Sequence, residues 1–272
     1  MKKSFVDFWK RMRAYAELAL QSQLEYRVNA IADWCLNPLM STIVEIAMWW
    51  TMFEAMGVTT LGGFPREYYL AYVTWAVFFA RISANWMYEF RMLQEVESGS
   101  INAILVRPVS FYEFYLGQFL GYKVFTTLFS LWLPAILALV VGGTTDFARL
   151  PMAVLLVWCH LVFIFTLSFC VMTISFRLTK ATSFTVTKNF LIWLASGELF
   201  PLDLLPKNLQ MVASYLPFSS GCYVPVGFLT HRLGWGALWQ GFWVNILWIA
   251  FFGLLGSVLW RRGLRQYAGT GA

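Results

Sequence analysis

Six stretches of mostly apolar residues recur along the chain, at about 31–53, 68–90, 112–141, 150–176, 184–201 and 237–260. Each approaches or exceeds the roughly 20 residues that a helix needs to cross a bilayer, so the pattern predicts six membrane helices. The third stretch is long enough to tilt or bend, and Pro134 within it offers a place for the bend. Ahead of the first stretch, Phe5, Phe8, Trp9, Met12, Tyr15, Ala16, Ala19 and Leu20 recur at helical spacing, with Lys10, Arg11, Arg13 and Glu17 largely off their stripe. Residues 1–28 therefore read as an amphipathic helix lying in the membrane interface or, alternatively, packed on a partner protein. Their scattered charges leave no unbroken apolar core for a cleavable signal.

Segment 201–236 carries four of the nine prolines yet is too apolar for a solvated loop. It is expected to dip back into the outer leaflet, where non-helical backbone must be covered by protein or line a wet cavity. That makes it either a gate or an apolar cap that seals the bundle.

Composition agrees with lipid as the solvent. Hydrophobic residues make up 59% of the 272 and charged residues 12%, against roughly 45–50% and about 25% in soluble domains. The many Phe, Trp and Tyr supply rings of the kind enriched at headgroup level. The net charge of +6 forms no stripe that would read nucleic acid, because basic residues sit at the ends of the apolar runs. One set comprises Lys2, Lys3, Lys10, Arg11, Arg13, Arg27, Arg91, Arg107, Arg177, Lys180, Arg261, Arg262 and Arg265; the opposite set has only Arg66, Arg149, Lys207 and Arg232. Positive residues stay on the cytoplasmic side, which places both termini and 91–111 inside and 201–236 outside.

The cytoplasmic connections are too short to hold a soluble catalytic domain. There is no HExxH, and His160 and His231 are the only histidines. No Gly-Lys dipeptide occurs, which excludes the GxxxxGK[ST] phosphate loop. Cys35, Cys159, Cys170 and Cys222 lack CxxC or Cys/His metal spacing. No catalytic residue, metal site or cofactor is expected, and any ATP that drives the protein must be bound by another chain.

Asp33, Glu45, Arg81, Glu89, Lys123, His160, Lys188 and Glu198 lie inside or near the apolar stretches. An Arg, Lys or Asp at mid-span costs at least ~2.5–3.5 kcal/mol, so these groups should face protein or water. Asp33, Glu89, Lys123, Lys188 and Glu198 are close enough to span ends to snorkel outward, and His160 reads as a packing residue. Glu45 and Arg81 lie deeper. Thr74, Arg81, Asn85 and Tyr88 share one face of the second helix, and Thr42, Glu45 and Trp49 one face of the first. These faces either line a pathway or hold an ion pair that joins the two helices.

The stretch EVESGSINAILVRPVSFYEFYLGQFLG, with Glu97, Gly99, Ile101, Ile104, Leu105, Arg107-Pro108 and Tyr115-Leu116-Gly117, resembles the region between the second and third spans of type-2 ABC exporter permeases. SGELFPLDLLPKNLQMVASYLPF is similar to that family's outer segment, and WRRGLRQYAGTGA to its basic tail; Glu198 stands where the family more often has an apolar residue. The resemblance implies an all-α membrane protein, one domain over 1–272. It would have six transmembrane helices, the interfacial helix 1–28, a cytoplasmic coupling helix within 91–111 and the outer re-entrant segment 201–236.

It further implies that the first, second and fifth spans border a central path, with Glu45, Trp49, Arg81, Asn85 and Glu198 as path residues. Glu95, Glu97, Gly99, Ile101, Ile104, Leu105 and Arg107 would couple to an ATPase. The residues fit that role: Ser98-Gly99-Ser100 can turn and cap a short helix, Ile101, Ile104 and Leu105 offer an apolar face to a groove on a partner, and Pro108 stops it. Glu89, Glu95 and Glu97 would add charge for basic groups of the partner; alternatively the turn lies on headgroups. The implied assembly is a cytoplasmic pair of ATP-binding subunits, holding ATP and Mg, with a second permease copy or relative, in a bacterial cytoplasmic (inner) membrane. Two other classes stay open: a lipid-modifying enzyme centred on Glu45, Arg81 and His160, and a non-transporting anchor for an ATPase.

Overall fold

The computed structural model describes residues 2–25, 27–141, 145–176 and 181–267. Arg177 and Lys180 of the basic set, and the tail beyond Tyr267, lie outside the described residues. Helices α1 (Lys2–Glu25) and α2 (Arg27–Ile31) precede a π segment, Ala32–Leu36, and α3 (Asn37–Met56). A small antiparallel hairpin follows, β1 (Thr60–Leu61) with β2 (Phe64–Pro65), in which Thr60 faces Pro65 and Leu61 faces Phe64. Gly62 and Gly63, at φ 56° and 84°, fill its two-residue turn, which demands positive φ at both positions. Then come α4 (Arg66–Ser83), α5 (Trp86–Glu97), the single turn α6 (Asn102–Leu105), α7 (Phe111–Ser130) and α8 (Trp132–Val141). The rest is α9 (Leu150–Met172), α10 (Thr182–Ser196), α11 (Lys207–Tyr215), α12 (Tyr223–Leu229) and α13 (Trp235–Gln266), with short 3-10 turns between several of them.

Helix α4 is the axis of the bundle. Its residues from Tyr69 to Phe79 are buried without interruption, as befits a helix surrounded by protein on every side. It packs against α3, α7, α8, α9 and α12. Trp49 stacks on Tyr69 at 4.7 Å and Trp75 on Phe79 at 6.0 Å. The outer helix α13 lies along α9 and turns Trp239, Trp243, Leu247, Phe251 and Leu254 away from the protein. Among the described residues, Phe111–Ala138, Phe147–Phe176 and Trp235–Gln266 are the helices long and apolar enough to cross a membrane by length and composition. The all-α reading holds.

Each expected segment carries helix, with local corrections. The second does not run unbroken over 68–90: it breaks at Ala84 and Asn85, whose backbones leave the helical region. Tyr88 therefore leaves the face it was expected to share with Arg81, and its hydroxyl donates to the Gln118 carbonyl at 3.2 Å. The third breaks at Leu131, one turn before Pro134, whose ring crowds the carbonyl four residues back and supplies no N–H to it. The fifth, α10, ends at Ser196 with 15 residues, a length of about 22 Å against a hydrocarbon core of ~30 Å. Segment 201–236 is a series of short helices, and its part from Pro217 to Leu229 is largely buried against α4, α9 and α13.

The stripe of the N-terminal helix packs on α7 of the same chain. Met12 and Ala19 are buried there, and Arg11 pairs with Glu113 at 3.0 Å. The contact is close because α7 offers glycines: a Cβ on Gly121 would stand 2.5 Å from the Ala16 Cα, and one on Gly117 2.7 Å from the Tyr15 Cβ. Gly121→Leu should therefore destabilise the protein by about 1–3 kcal/mol, the range for overpacking, and free α1 to proteolysis. Gly253→Leu on α13, where an added Cβ meets nothing within 4 Å, should leave the melting temperature near that of the parent; melts and limited proteolysis of the two variants side by side check this.

Candidate functional site

A cavity of about 570 Å³ lies beside α4. Helix α3 contributes Pro38, Ser41 and Glu45 to its wall, and α4 contributes Val77, Ala80 and Arg81. The break after α4 adds Asn85 and Trp86; α9 adds His160 and Ile164; α10 adds Asn189, Phe190 and Trp193. Glu198, Gly221 and Cys222 close it from the segment after α10. The volume falls in the ~300–1,000 Å³ range of sites for small organic molecules.

Four of the five expected path residues, Glu45, Arg81, Asn85 and Glu198, come together on this wall. Trp49 does not. It is 4% exposed, stacked on Tyr69 between α3 and α4, and belongs to the core; this corrects its assignment to the path. Being one turn beyond Glu45 put it on the same stripe of α3, but α4 covers that end.

Arg81 does not pair with Glu45. Its Nη2 stands 2.9 Å from the Asp33 carboxylate and donates to the Asp33 carbonyl at 2.7 Å. That carbonyl is available because the π segment shifts the backbone pairing: the Asn37 N–H bonds Ala32 instead of Asp33. Pro38, with no N–H, leaves the Trp34 carbonyl free as well, and the Ser130 hydroxyl donates to it at 3.1 Å. Glu45 is left without such a partner, and its Oε2 is buried with no hydrogen bond. Asn85 is 4% exposed, and neither end of its amide is hydrogen-bonded. His160 holds Asn245 at 3.1 Å through Nδ1, which accounts for its place in the packing, and Gly221 lies against its ring.

Several charges expected to snorkel are instead buried. Lys188 Nζ stands 2.6 Å from Glu89 Oε1, with Glu89 fully buried, and Asn189 Nδ2 donates to Glu89 Oε2 at 3.1 Å. This pair ties α5 to α10. Lys123 Nζ donates to the Arg81 carbonyl at 3.0 Å, a group that the break at Asn85 leaves unpaired. Sequence reasoning missed Asp33 as the partner of Arg81, along with Trp86, Asn189, Trp193 and Cys222. Asn189 carried a signal, since it adjoins Lys188 in an otherwise apolar run.

The expected coupling stretch is a tight turn built on Gly99, whose φ of 78° is left-handed. The apolar face assigned to a partner is corrected. Ile101 and Ile104 are buried in the protein's own core with Val96, while Leu105, Val106, Arg107 and Pro108 are exposed. The charges are redistributed too: Glu89 is buried, and Glu95 lies 3.8 Å from Arg91. Glu97 accepts the Ala181 N–H at 3.2 Å.

A family model described as ABC-2 family transporter protein matches residues 39–271. No curated protein matches the chain.

The Glu89–Lys188 pair supplies a direct test of the site's framework. Lys188→Met strands a buried carboxylate and should cost about 3–5 kcal/mol. Adding Glu89→Gln, whose amide oxygen can still accept from Asn189, should recover most of that loss. Thermal melts of the single and double variants in one detergent measure both.

Proposed function

The chain belongs to the ABC-2 transporter family, whose members are membrane permease components without a nucleotide-binding domain, and from that premise we propose that it is one of two membrane subunits of an ATP-driven exporter. In this reading two permeases, identical or related, sit above a pair of cytoplasmic ATPase subunits that bind ATP and Mg. Six spans alternate between inward-facing and outward-facing forms and carry a hydrophobic or amphipathic cargo across a bacterial cytoplasmic membrane. Both termini and the turn at α6 face the cytoplasm, and 201–236 faces out.

The observation that carries the reading is the family match across 39–271. The cavity supports it, since α3, α4 and α10 border it together, as expected of a central path. Of the three residues of the lipid-enzyme alternative, two are engaged elsewhere: Arg81 is held by Asp33 and His160 by Asn245. Purification with a native ATPase partner and ATP-dependent flux in vesicles test the proposal. An ATPase that co-purifies without flux would favour the anchor instead.

For coupling, the exposed residues Leu105, Val106 and Arg107 are the contacts to change. Val106→Asp or Leu105→Asp should leave a folded, inserted subunit that loses its ATPase or hydrolyses ATP without transport. Ile104→Asp should instead lower the yield of folded protein, because a charge is forced into the core. ATPase retention, flux and melting temperature, measured on all three, separate docking from packing, and unchanged retention and flux in the first two would refute the coupling role.

Orientation is checked by cysteine labelling in a background free of native cysteines. Asn208→Cys should react with an impermeant maleimide added outside, whereas Ser4→Cys and Ser100→Cys should react only after permeabilisation; equal external labelling of all three would rule out the six-span arrangement.

A further inference from the structure

The charged groups on the cavity wall are Glu45, Arg81 and Glu198, with the imidazole of His160 beside them. The positive one is already matched: Arg81 holds the Asp33 carboxylate and carbonyl. His160 is engaged by Asn245. Two further basic groups, next to wall residues in sequence or bonded to one, are also occupied, Lys188 by Glu89 and Lys123 by the Arg81 carbonyl.

The negative groups are not matched. Among the described residues neither Glu45 nor Glu198 forms an ion pair, and both line the one cavity. Glu45 Oε2 is buried with no hydrogen bond. Trp193 lines the same wall as Glu198 and brings no charge to it. The Asn85 amide, nine-tenths and more buried, lacks partners at both ends on the same wall. Two carboxylates facing one space repel each other, and a positive guest between them relieves both. Trp86, Phe190 and Trp193 also line that wall, and aromatic faces attract cations, more strongly when water is excluded.

We propose that this cavity is a site for an organic cation, with Glu45 and Glu198 matching its charge, Asn85 bonding its polar group and the aromatic wall receiving its apolar body. The assignment rests on the exporter reading and deepens it by giving the cargo a sign of charge. A cargo of opposite sign would meet two unmatched carboxylates, so the site selects by repulsion as well as attraction.

The test uses the permease with its ATPase partner and two probe ions of one shape and opposite charge, tetraphenylphosphonium and tetraphenylborate. Binding is read from quenching of tryptophan fluorescence in detergent. Transport is read as ATP-dependent uptake into inside-out vesicles with the membrane potential collapsed. The phosphonium should bind at least about tenfold more tightly than the borate, and Glu45→Gln and Glu198→Gln should each weaken phosphonium binding roughly tenfold, the effect of about 1.4 kcal/mol. Glu45→Asp, which keeps the charge, should retain most of the preference. The comparison of the two ions on the unaltered protein stands even if a variant folds poorly.

Equal binding of both ions, or phosphonium binding unchanged in both Gln variants, overturns the assignment. ATP-driven uptake of the borate but not of the phosphonium also overturns it while leaving the exporter reading in place. Charge-selective binding that the Gln variants abolish, without ATP-driven uptake of either ion, supports the cation site and counts against the exporter reading.

Discussion

A backbone carbonyl that loses its helical partner inside a bilayer has no water to turn to, and an unsatisfied polar group there costs several kcal/mol. This chain breaks its helices repeatedly, and side chains take up the released groups. Arg81 binds the Asp33 carbonyl and Ser130 that of Trp34, both freed by the π segment and Pro38. Lys123 binds the Arg81 carbonyl below the break at Asn85. Tyr72 binds the carbonyl of Gly197 where α10 stops, Ser83 that of Gly221, and Arg149 that of Phe228 in the outer segment. The donors to five of these six carbonyls come from α4 or α7 and the sixth from the turn ahead of α9, and they reach across to other elements. The breaks and the packing therefore depend on one another.

That dependence also explains why the cavity lies where it does. The break after α4, the start of α3 just past the π segment and the end of α10 all border it. Side chains that repair the backbone, such as Arg81, are consumed by that work and leave the wall with its acidic groups uncompensated. The polarity of the space is a residue of how the fold satisfies its own backbone.

Much of this was legible in the sequence, and the limits have identifiable causes. The apolar stretches, the N-terminal stripe and the depth of Glu45 and Arg81 follow from periodicity alone. The break at Asn85 does not, because RISANW contains neither Pro nor Gly to announce it. The partner of Arg81 was out of reach for a different reason: Asp33 is 48 positions away and becomes a partner only through a π turn that Pro38 favours. Ile101 and Ile104 form the expected stripe, but a stripe records only that one face is apolar, not whether the same chain or another protein covers it.

The burial of those two isoleucines changes how a coupling turn could act. A turn that rested on the membrane subunit through solvent would move on its own when pushed. Here Ile101 and Ile104 are set into the same core cluster as Val96 of α5 and Phe79 of α4, and interiors packed to this degree transmit displacement instead of absorbing it. In the proposed exporter, helix α5 would then act as a lever. Its C-terminal end carries the turn and the Glu97 contact to Ala181, its first turn holds α10 through Glu89 and Lys188, and its N-terminal end follows the break that brings Asn85 and Trp86 to the cavity. In the proposed exporter, a push at Leu105 to Arg107 would reach the cavity along one helix, moving two of its walls together.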